Sequence, residues 1–75
     1  MFRLYKSNGV EDVEIKDFDT EEQAVKKMNA LIKKEVKTVD YVRSWIENGE
    51  AWYDYGMWNR FYKIKEVVDD INIRN

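Results

Sequence analysis

Residues 38–55, which read TVDYVRSWIENGEAWYDY, decide the architecture of this chain. They contain the second of two Asn-Gly pairs, and this pair favours a two-residue hairpin turn because both residues tolerate a positive φ. β-branched and aromatic residues, which favour strands, lie on both sides of it. With Asn48 and Gly49 as the loop, the predicted cross-strand pairs are Arg43–Asp54, Trp45–Trp52, Ile46–Ala51 and Glu47–Glu50.

The first half of this stretch permits a second interpretation. Val39, Val42 and Ile46 have the spacing of an apolar stripe on a helix, so a helix over residues 38–47 is the alternative to a strand. We favour the strand because most of the residues here are β-branched or aromatic.

The other pair, Asn8-Gly9, predicts a hairpin between strands over residues 1–6 and 10–18. With a two-residue loop, apolar residues and opposite charges face each other, as a correct register requires. The predicted pairs are Phe2–Ile15, Leu4–Val13, Arg3–Glu14 and Lys6–Glu11. One face of this hairpin then carries Phe2, Leu4, Val13 and Ile15, and the other carries Arg3, Tyr5, Asp12 and Glu14.

Between the hairpins, residues 20–36 have the pattern of an amphipathic helix. Asp19 or Thr20 is the expected N-cap, and Glu22 or Gln23 stands three residues later, which completes a capping box. The predicted buried stripe comprises Ala24, Val25, Met28, Leu31, Ile32 and Val36. After the second hairpin we predict a loop over residues 56–59, a strand over 60–67 and an irregular or briefly helical tail over 68–75.

The expected order is therefore β-β-α-β-β-β. With 75 residues, we predict a single α+β domain over residues 1–75, in which one amphipathic helix packs on one face of an antiparallel sheet of about five strands. The chain has no Cys, so no disulfide stabilises it, and large aromatic side chains are expected to supply much of the buried area.

Composition excludes several function classes. The chain has no His and no Cys, and nothing stands ready to activate its two serines and two threonines as nucleophiles. The three glycines are isolated, so no phosphate-binding loop is present. An acidic cluster could hold a hard cation, but cap and helix-dipole preferences explain it better: Asp17, Asp19, Glu21 and Glu22. We therefore expect no enzyme, no metal and no cofactor.

The sequence shows neither a membrane helix nor the basic charge that a nucleic-acid-binding protein usually carries. The net charge is −2, and no apolar run approaches the ~20 residues that a membrane helix needs. The N-terminus lacks the apolar stretch of a signal peptide, so we expect a cytoplasmic protein.

The second half of the chain holds more aromatic residues than a small core needs. One helix can cover only one face of the sheet, and the more aliphatic set of the second hairpin should lie beneath it. We therefore predict an open face that carries the Trp45–Trp52 pair with Tyr41, Arg43 and Phe61, joined by Tyr5, Lys63 and Lys65. In the reverse arrangement, Trp45 and Trp52 form the core; the residues alone favour neither.

Trp58 falls in the predicted loop beside Gly56 and Asn59. It is either a lid over one end of the core or an exposed anchor, and we favour the anchor because loops carry function disproportionately. An open apolar patch with Trp and Arg is typical of a binding site for a protein, so the candidate binding residues are Trp45, Trp52, Trp58, Tyr41, Arg43 and Phe61.

Two runs carry a resemblance to a class of known proteins. DFDTEEQA at residues 17–24, and WYDYG at 52–56 followed by FYKI at 61–64, resemble small accessory proteins of phages and prophages of Gram-positive bacteria. Some of those proteins inhibit host defence by binding a host protein. The resemblance implies an inhibitor or adaptor that acts on a host protein complex, including an anti-CRISPR-like role.

Three other hypotheses stay open. Aromatic residues beside Arg43, Lys63 and Lys65 could stack single-stranded nucleic acid, although the acidic balance disfavours it. A flat, nucleotide-like ligand could bind a pocket lined by Tyr53, Tyr55 and Trp58. A homodimer through the aromatic face would hide the same surface.

Overall fold

The computed structural model describes residues 1–36 and 42–67 of the chain. These residues form five strands and one helix in the predicted order β-β-α-β-β-β, which confirms the α+β fold class. The elements are β1 (Phe2–Ser7), β2 (Asp12–Phe18), α1 (Glu21–Glu35), β3 (Arg43–Glu47), β4 (Glu50–Asp54) and β5 (Phe61–Glu66).

All five strands belong to one antiparallel sheet in the order β2-β1-β5-β4-β3. Strand β5, the last strand among the described residues, therefore lies in the middle of the sheet and joins the two hairpins. Helix α1 packs against β1, β2 and β5. The buried core between helix and sheet comprises Leu4, Ala24, Met28, Ile32, Tyr55, Tyr62 and Ile64.

The helix begins where the sequence predicts. Thr20 is the N-cap, and its Oγ1 accepts a hydrogen bond of 3.2 Å from the backbone N–H of Gln23. Oε1 of Gln23 accepts the backbone N–H of Thr20 at 3.4 Å in return, which completes the capping box. Of the predicted stripe, Ala24, Met28 and Ile32 are buried, so the spacing of apolar residues identified the correct face.

The second hairpin confirms the predicted register. Trp45 faces Trp52, and Glu47 faces Glu50 across the turn. Asn48 and Gly49 have φ values of 54° and 76°, which is the backbone that a type I′ turn requires. Residues 43–47 are a strand rather than a helix, and Val42 directly precedes this strand. The rest of the ambiguous stretch, residues 38–41, lies outside the described residues.

The predicted register of the first hairpin is wrong. The loop has four residues, from Asn8 to Glu11, so Ser7 pairs with Asp12, and a bulge between Leu4 and Tyr5 shifts the register again to pair Phe2 with Phe18.

Side-chain hydrogen bonds in the loop explain this error. Oδ1 of Asn8 accepts the backbone N–H groups of Val10 and Glu11 at 2.8 and 2.7 Å, and Oγ of Ser7 accepts that of Gly9 at 3.0 Å. This Asx-type turn competes with a type I′ turn, and only Gly9 of the Asn-Gly pair has a positive φ. As a result Val13, predicted to face Leu4 in the core, is 64% exposed.

In the part of the chain that the structure describes, no helix has the length and apolar content needed to cross a membrane.

Replacing Leu4 with Ala should lower the free energy of unfolding by about 2–5 kcal/mol, because Leu4 is 0% exposed and its removal leaves a cavity between helix and sheet. Val13→Ala, in the neighbouring strand but exposed, is the matched control and should cost no more than about 0.5 kcal/mol. Urea denaturation followed by far-UV circular dichroism measures both. Equal losses for the two variants would contradict the observed register.

Candidate functional site

The sheet face that points away from the helix, here called the open face, carries three rows of side chains. Side chains alternate along each strand, so the cross-strand pairs assign each row. The central row is Glu14, Tyr5, Lys63, Trp52 and Trp45. The rows on either side of it are Asp17, Arg3, Lys65, Glu50 and Glu47, and Asp12, Ser7, Phe61, Asp54 and Arg43.

Two tryptophans form the aromatic centre of this face. The rings of Trp45 and Trp52 are stacked with centroids 6.1 Å apart and an interplanar angle of 7°. The guanidinium carbon of Arg43 lies 5.2 Å from the centroid of Trp45, within the range of a cation–π contact. The type I′ turn sets this geometry, because it fixes the register that places the two rings opposite each other.

Phe61 of β5 completes the aromatic cluster. Its ring meets Trp45 and Trp52 edge-on, with centroid distances of 6.4 and 6.1 Å. Both tryptophans are partly buried by these contacts, and Nε1 of Trp52 has no hydrogen-bond partner among the described residues. Contacts with the rings of Trp45 and Phe61 hold the indole of Trp52 in place.

Lys63 lies at the centre of the open face and is 6% exposed. Its Nζ contacts Oδ2 of Asp12 and lies 3.1 Å from Oε2 of Glu50. The same Nζ is 4.9 Å from the ring centroid of Tyr5 and 5.2 Å from that of Trp52. Two carboxylates and two aromatic rings from three other strands thus surround one ammonium group.

The titration behaviour of this cluster follows from those contacts. Burial acts to lower the pKa of Lys63, but hydrogen bonds to Asp12 and Glu50 outweigh it and raise the pKa above its ordinary value. The hydrogen bond from Lys63, followed by one from Ser7, holds the pKa of Asp12 below its usual range. Lys63 therefore stays protonated within the sheet, and the carboxylates of Asp12 and Glu50 neutralise its charge.

Sequence reasoning placed Lys63 on the correct face but treated it as an exposed cation. The alternation Phe61, Lys63, Lys65 gives no sign that the middle residue is buried. The decisive fact is that β5 is the central strand, because only then do Tyr5 and Trp52 lie on either side of Lys63.

Carboxylates outnumber cations on the open face. Arg3 is paired with Asp17 at 2.7 Å and with Glu14 at 3.4 Å, and the hydrogen bond from Arg3 lowers the pKa of Asp17. The open face carries six carboxylates against four cations, and two of those cations, Arg3 and Lys63, are already held by carboxylates.

Trp58 lies next to the open face, in the loop that connects the end of β4 to the start of β5. It is 87% exposed, so it does not cover an end of the core as a lid would. Its loop contains two residues with positive φ, Gly56 at 86° and Asn59 at 54°. An open cavity of about 400 Å³ lies beside it, lined by Asp54, Gly56, Met57, Trp58, Asn59 and Phe61.

Phe61 therefore links the tryptophan pair to the loop that carries Trp58. Of the predicted binding residues, the structure brings Trp45, Trp52, Arg43 and Phe61 together on the open face and places Trp58 next to them. Tyr41 lies outside the described residues.

A second polar cluster, which was not predicted from the sequence, lies between the end of helix α1 and the sheet. Glu35, in the last turn of α1, accepts hydrogen bonds from the hydroxyls of Tyr55 and Tyr62 at 3.1 and 2.6 Å and from Nζ of Lys6 at 2.7 Å. Burial acts to raise the pKa of Glu35, but the bonds from Lys6 and Tyr62 outweigh it and lower the pKa. A Glu at the C-terminal end of a helix opposes the helix dipole, which was the available signal that it has specific partners.

The acidic cluster at the start of the helix is used by the fold. Asp17 pairs with Arg3, and the capping box occupies the helix N-terminus. Within residues 1–36 and 42–67, no group of three or more Asp or Glu side chains is placed to hold a metal ion.

Replacing Lys63 with Met should lower the free energy of unfolding by about 2 kcal/mol, because Asp12 and Glu50 would keep their charges without the ammonium group. Lys65→Met is the matched control on the same face of the same strand, where the side chain is exposed, and should cost no more than about 0.5 kcal/mol. Equilibrium denaturation at pH 7 measures both, and equal effects would contradict the role assigned to Lys63.

The effect of Lys63→Met should also depend on pH. Folding lowers the pKa of Asp12, so this carboxyl stabilises the fold above its unfolded pKa of about 4, and the stabilisation is lost as the pH falls. The stability difference between wild type and variant should therefore be largest near pH 7 and shrink below about pH 4. A difference that grows on acidification would contradict the pairing.

The tyrosines bound to Glu35 should titrate late. Burial, and then the charge of Glu35, raise the pKa of Tyr55 to about 12, and burial followed by the hydrogen bond to Glu35 raises that of Tyr62. A tyrosine whose pKa is raised on folding stabilises the fold below its unfolded pKa of about 10. This stabilisation is lost as the pH rises, so alkaline unfolding should begin above about pH 10.

Absorbance at 295 nm measures these ionisations, with the urea-unfolded chain as the reference. Glu35→Gln should move the late step to lower pH without bringing it to the unfolded value, because the tyrosines stay buried. Ionisation of all tyrosines together near pH 10 in the folded chain would contradict the cluster.

Comparison of the chain with family models, with curated proteins and with solved structures finds no match. The open face and the loop that carries Trp58 are therefore the features from which a function is inferred.

Proposed function

We propose that this chain is a non-enzymatic protein-binding module, a small inhibitor or adaptor of the phage type that acts on a host protein complex. The observation that supports the proposal is the open face with its stacked tryptophan pair, continued by the 87% exposed Trp58. In its free form a small domain gains nothing in stability from an indole held in solvent, whereas a binding site gains a large anchor from it.

The arrangement suits tight contact with a protein surface. Tryptophan and arginine are enriched among residues that dominate binding energy. Here Trp45 contacts both Trp52 and Arg43 before any partner arrives, so less side-chain entropy is left to lose on binding. Trp58 differs because it projects from the loop, and it can enter a pocket of the partner.

The charges of the face indicate what kind of surface it meets. Arg3 lies between Glu14 and Asp17, and Lys63 lies between Asp12 and Glu50, so each of these cations leaves one carboxylate charge uncompensated and the open face is acidic by two charges. A partner surface with Lys and Arg around an apolar pocket is complementary, and attraction of this kind steers association and selects partners.

The same charges disfavour the alternative of single-stranded nucleic acid. Of the three cations proposed to hold phosphates, Lys63 is buried between two carboxylates and Arg43 contacts the ring of Trp45, whereas Lys65 is exposed. Binding to a nucleic acid depends on cations that can release counterions from phosphates, and this face presents a surplus of carboxylates.

The three residues proposed to line a pocket for a flat ligand, Tyr53, Tyr55 and Trp58, do not line one cavity together. Tyr55 is buried and its hydroxyl donates to Glu35, whereas Trp58 is exposed. Neither Tyr53 nor Tyr55 lines the cavity beside Trp58.

Capture from a nuclease-treated bacterial lysate, followed by mass spectrometry and reconstitution with the purified partner, tests the proposal. Trp58→Ala should weaken the reconstituted complex by at least about 30-fold, as expected for a binding hot spot of 2 kcal/mol or more. Val10→Ala, which changes another strongly exposed apolar residue in the loop between β1 and β2, is the matched control and should bind as the wild type does.

Circular dichroism must show that each variant is folded. A protein that is retained equally by wild type and by both Trp45→Ala and Trp58→Ala would contradict the site, and the absence of any specific protein would contradict the function. Titration with labelled oligonucleotides at about 50 and 200 mM salt separates the alternative, because phosphate binding would weaken steeply between them.

A further inference from the structure

We propose that the outer edge of β3, which pairs with no strand among the described residues, pairs antiparallel with β3 of a second copy of this chain, so that two sheets of five strands become one of ten. This inference concerns the edge of the sheet and does not depend on the partner protein proposed above.

The two edges of the sheet are built differently. The edge strand β2 carries Asp12, Glu14, Lys16 and Asp17, and a bulge interrupts its pairing with β1. Charges and bulges are the usual means by which proteins prevent an edge from pairing with another chain. The edge strand β3, with the sequence RSWIE, carries one charge of each sign, contains no Lys and no Pro, and pairs with β4 in an unbroken register.

The backbone of β3 directs hydrogen-bonding groups to its outer edge, on the side away from β4. Glu47 and Glu50 close the two-residue turn, so they are a hydrogen-bonded pair, and such pairs alternate along an antiparallel ladder. Arg43, Trp45 and Glu47 therefore direct their N–H and C=O groups to β4, whereas Ser44 and Ile46 direct theirs outward. Among residues 1–36 and 42–67, no strand pairs with these outward groups.

Charge complementarity selects one register for a second copy. Pairing through the outward groups of Ser44 and Ile46 allows a two-fold axis at Ser44, Trp45 or Ile46. With the axis at Trp45, Ser44 pairs with Ile46 of the second copy, and Arg43 faces Glu47 of the second copy at both ends. The axis at either other residue separates these opposite charges.

The same register suits the side chains on both faces. On the open face, Trp45 faces Trp45 of the second copy, which extends the stacked pair of each copy into a row of four indoles. On the helix side, Ile46 is 73% exposed and gains a diagonal neighbour in Ile46 of the second copy. Glu47, which faces the like charge of Glu50 within its own hairpin, gains a cation.

Sedimentation equilibrium of the full chain at about 5 to 500 µM measures the pairing. We expect the mass to rise with concentration from 9.1 kDa toward twice that value, because a single short strand buries too little area for tight association. Glu47→Arg should weaken association by at least about tenfold, because it places two arginines opposite each other at both ends.

Glu47→Arg is a clean variant for this test. Within one copy it replaces the repulsive pair Glu47–Glu50 with an attractive one, so the monomer should fold at least as well as the wild type. Glu11→Arg makes the same charge change in the exposed loop between β1 and β2, and it should associate as the wild type does.

Mixing two variants tests the register itself. Arg43→Glu should also fail to associate with itself, but an equimolar mixture with Glu47→Arg restores opposite charges at both ends and should form heterodimers with wild-type affinity. Circular dichroism confirms that each variant is folded before mixing.

A monomeric mass at every concentration would overturn the proposal, as would a dimer that is unchanged by Glu47→Arg. Heterodimers that do not form would overturn the register. Trp58→Ala should leave self-association unchanged, so loss of the partner protein and loss of the dimer are distinguishable outcomes.

Discussion

The open face of the sheet depends on the contacts of the Lys63 ammonium group. It lies on the central strand, and Tyr5 and Trp52 flank it on the two neighbouring strands. Its carboxylate partners, Asp12 and Glu50, come from opposite halves of the sheet. One residue therefore ties the two hairpins together on the face that the helix does not cover, where a chain without disulfides has few other means of holding its strands in register.

The packing of helix α1 against β1, β2 and β5 explains why the aromatic residues are distributed as they are. The core under the helix uses aliphatic residues and two tyrosines, whose hydroxyls bind Glu35 at the end of α1. The second hairpin extends beyond the helix, and its open side is packed by Trp45, Trp52 and Phe61 instead. The tryptophans thus stabilise the sheet and present a binding surface at once.

Sequence reasoning succeeded where local chemistry decides the structure and failed where side chains or strand order decide it. The capping box and the turn at Asn48-Gly49 follow from neighbouring residues, and both were predicted. The turn at Asn8 was not, because the side chain of Asn8 itself binds the loop backbone. The burial of Lys63 depends on β5 lying between the hairpins, and no local pattern in the sequence encodes that order.

The proposed binding face and the proposed pairing edge share β3. Pairing extends the sheet in its own plane through the outward backbone groups of Ser44 and Ile46, with the side chains of Arg43, Trp45 and Glu47 facing their counterparts at the edge. Binding uses the exposed surface of the open face and Trp58. A dimer would therefore leave both open faces accessible and hold two copies of the tryptophan pair on one continuous sheet. A partner complex with repeated subunits could then engage both copies, and the second contact would gain from a high effective concentration. The short edge of β3 and the open face would thus serve the same function.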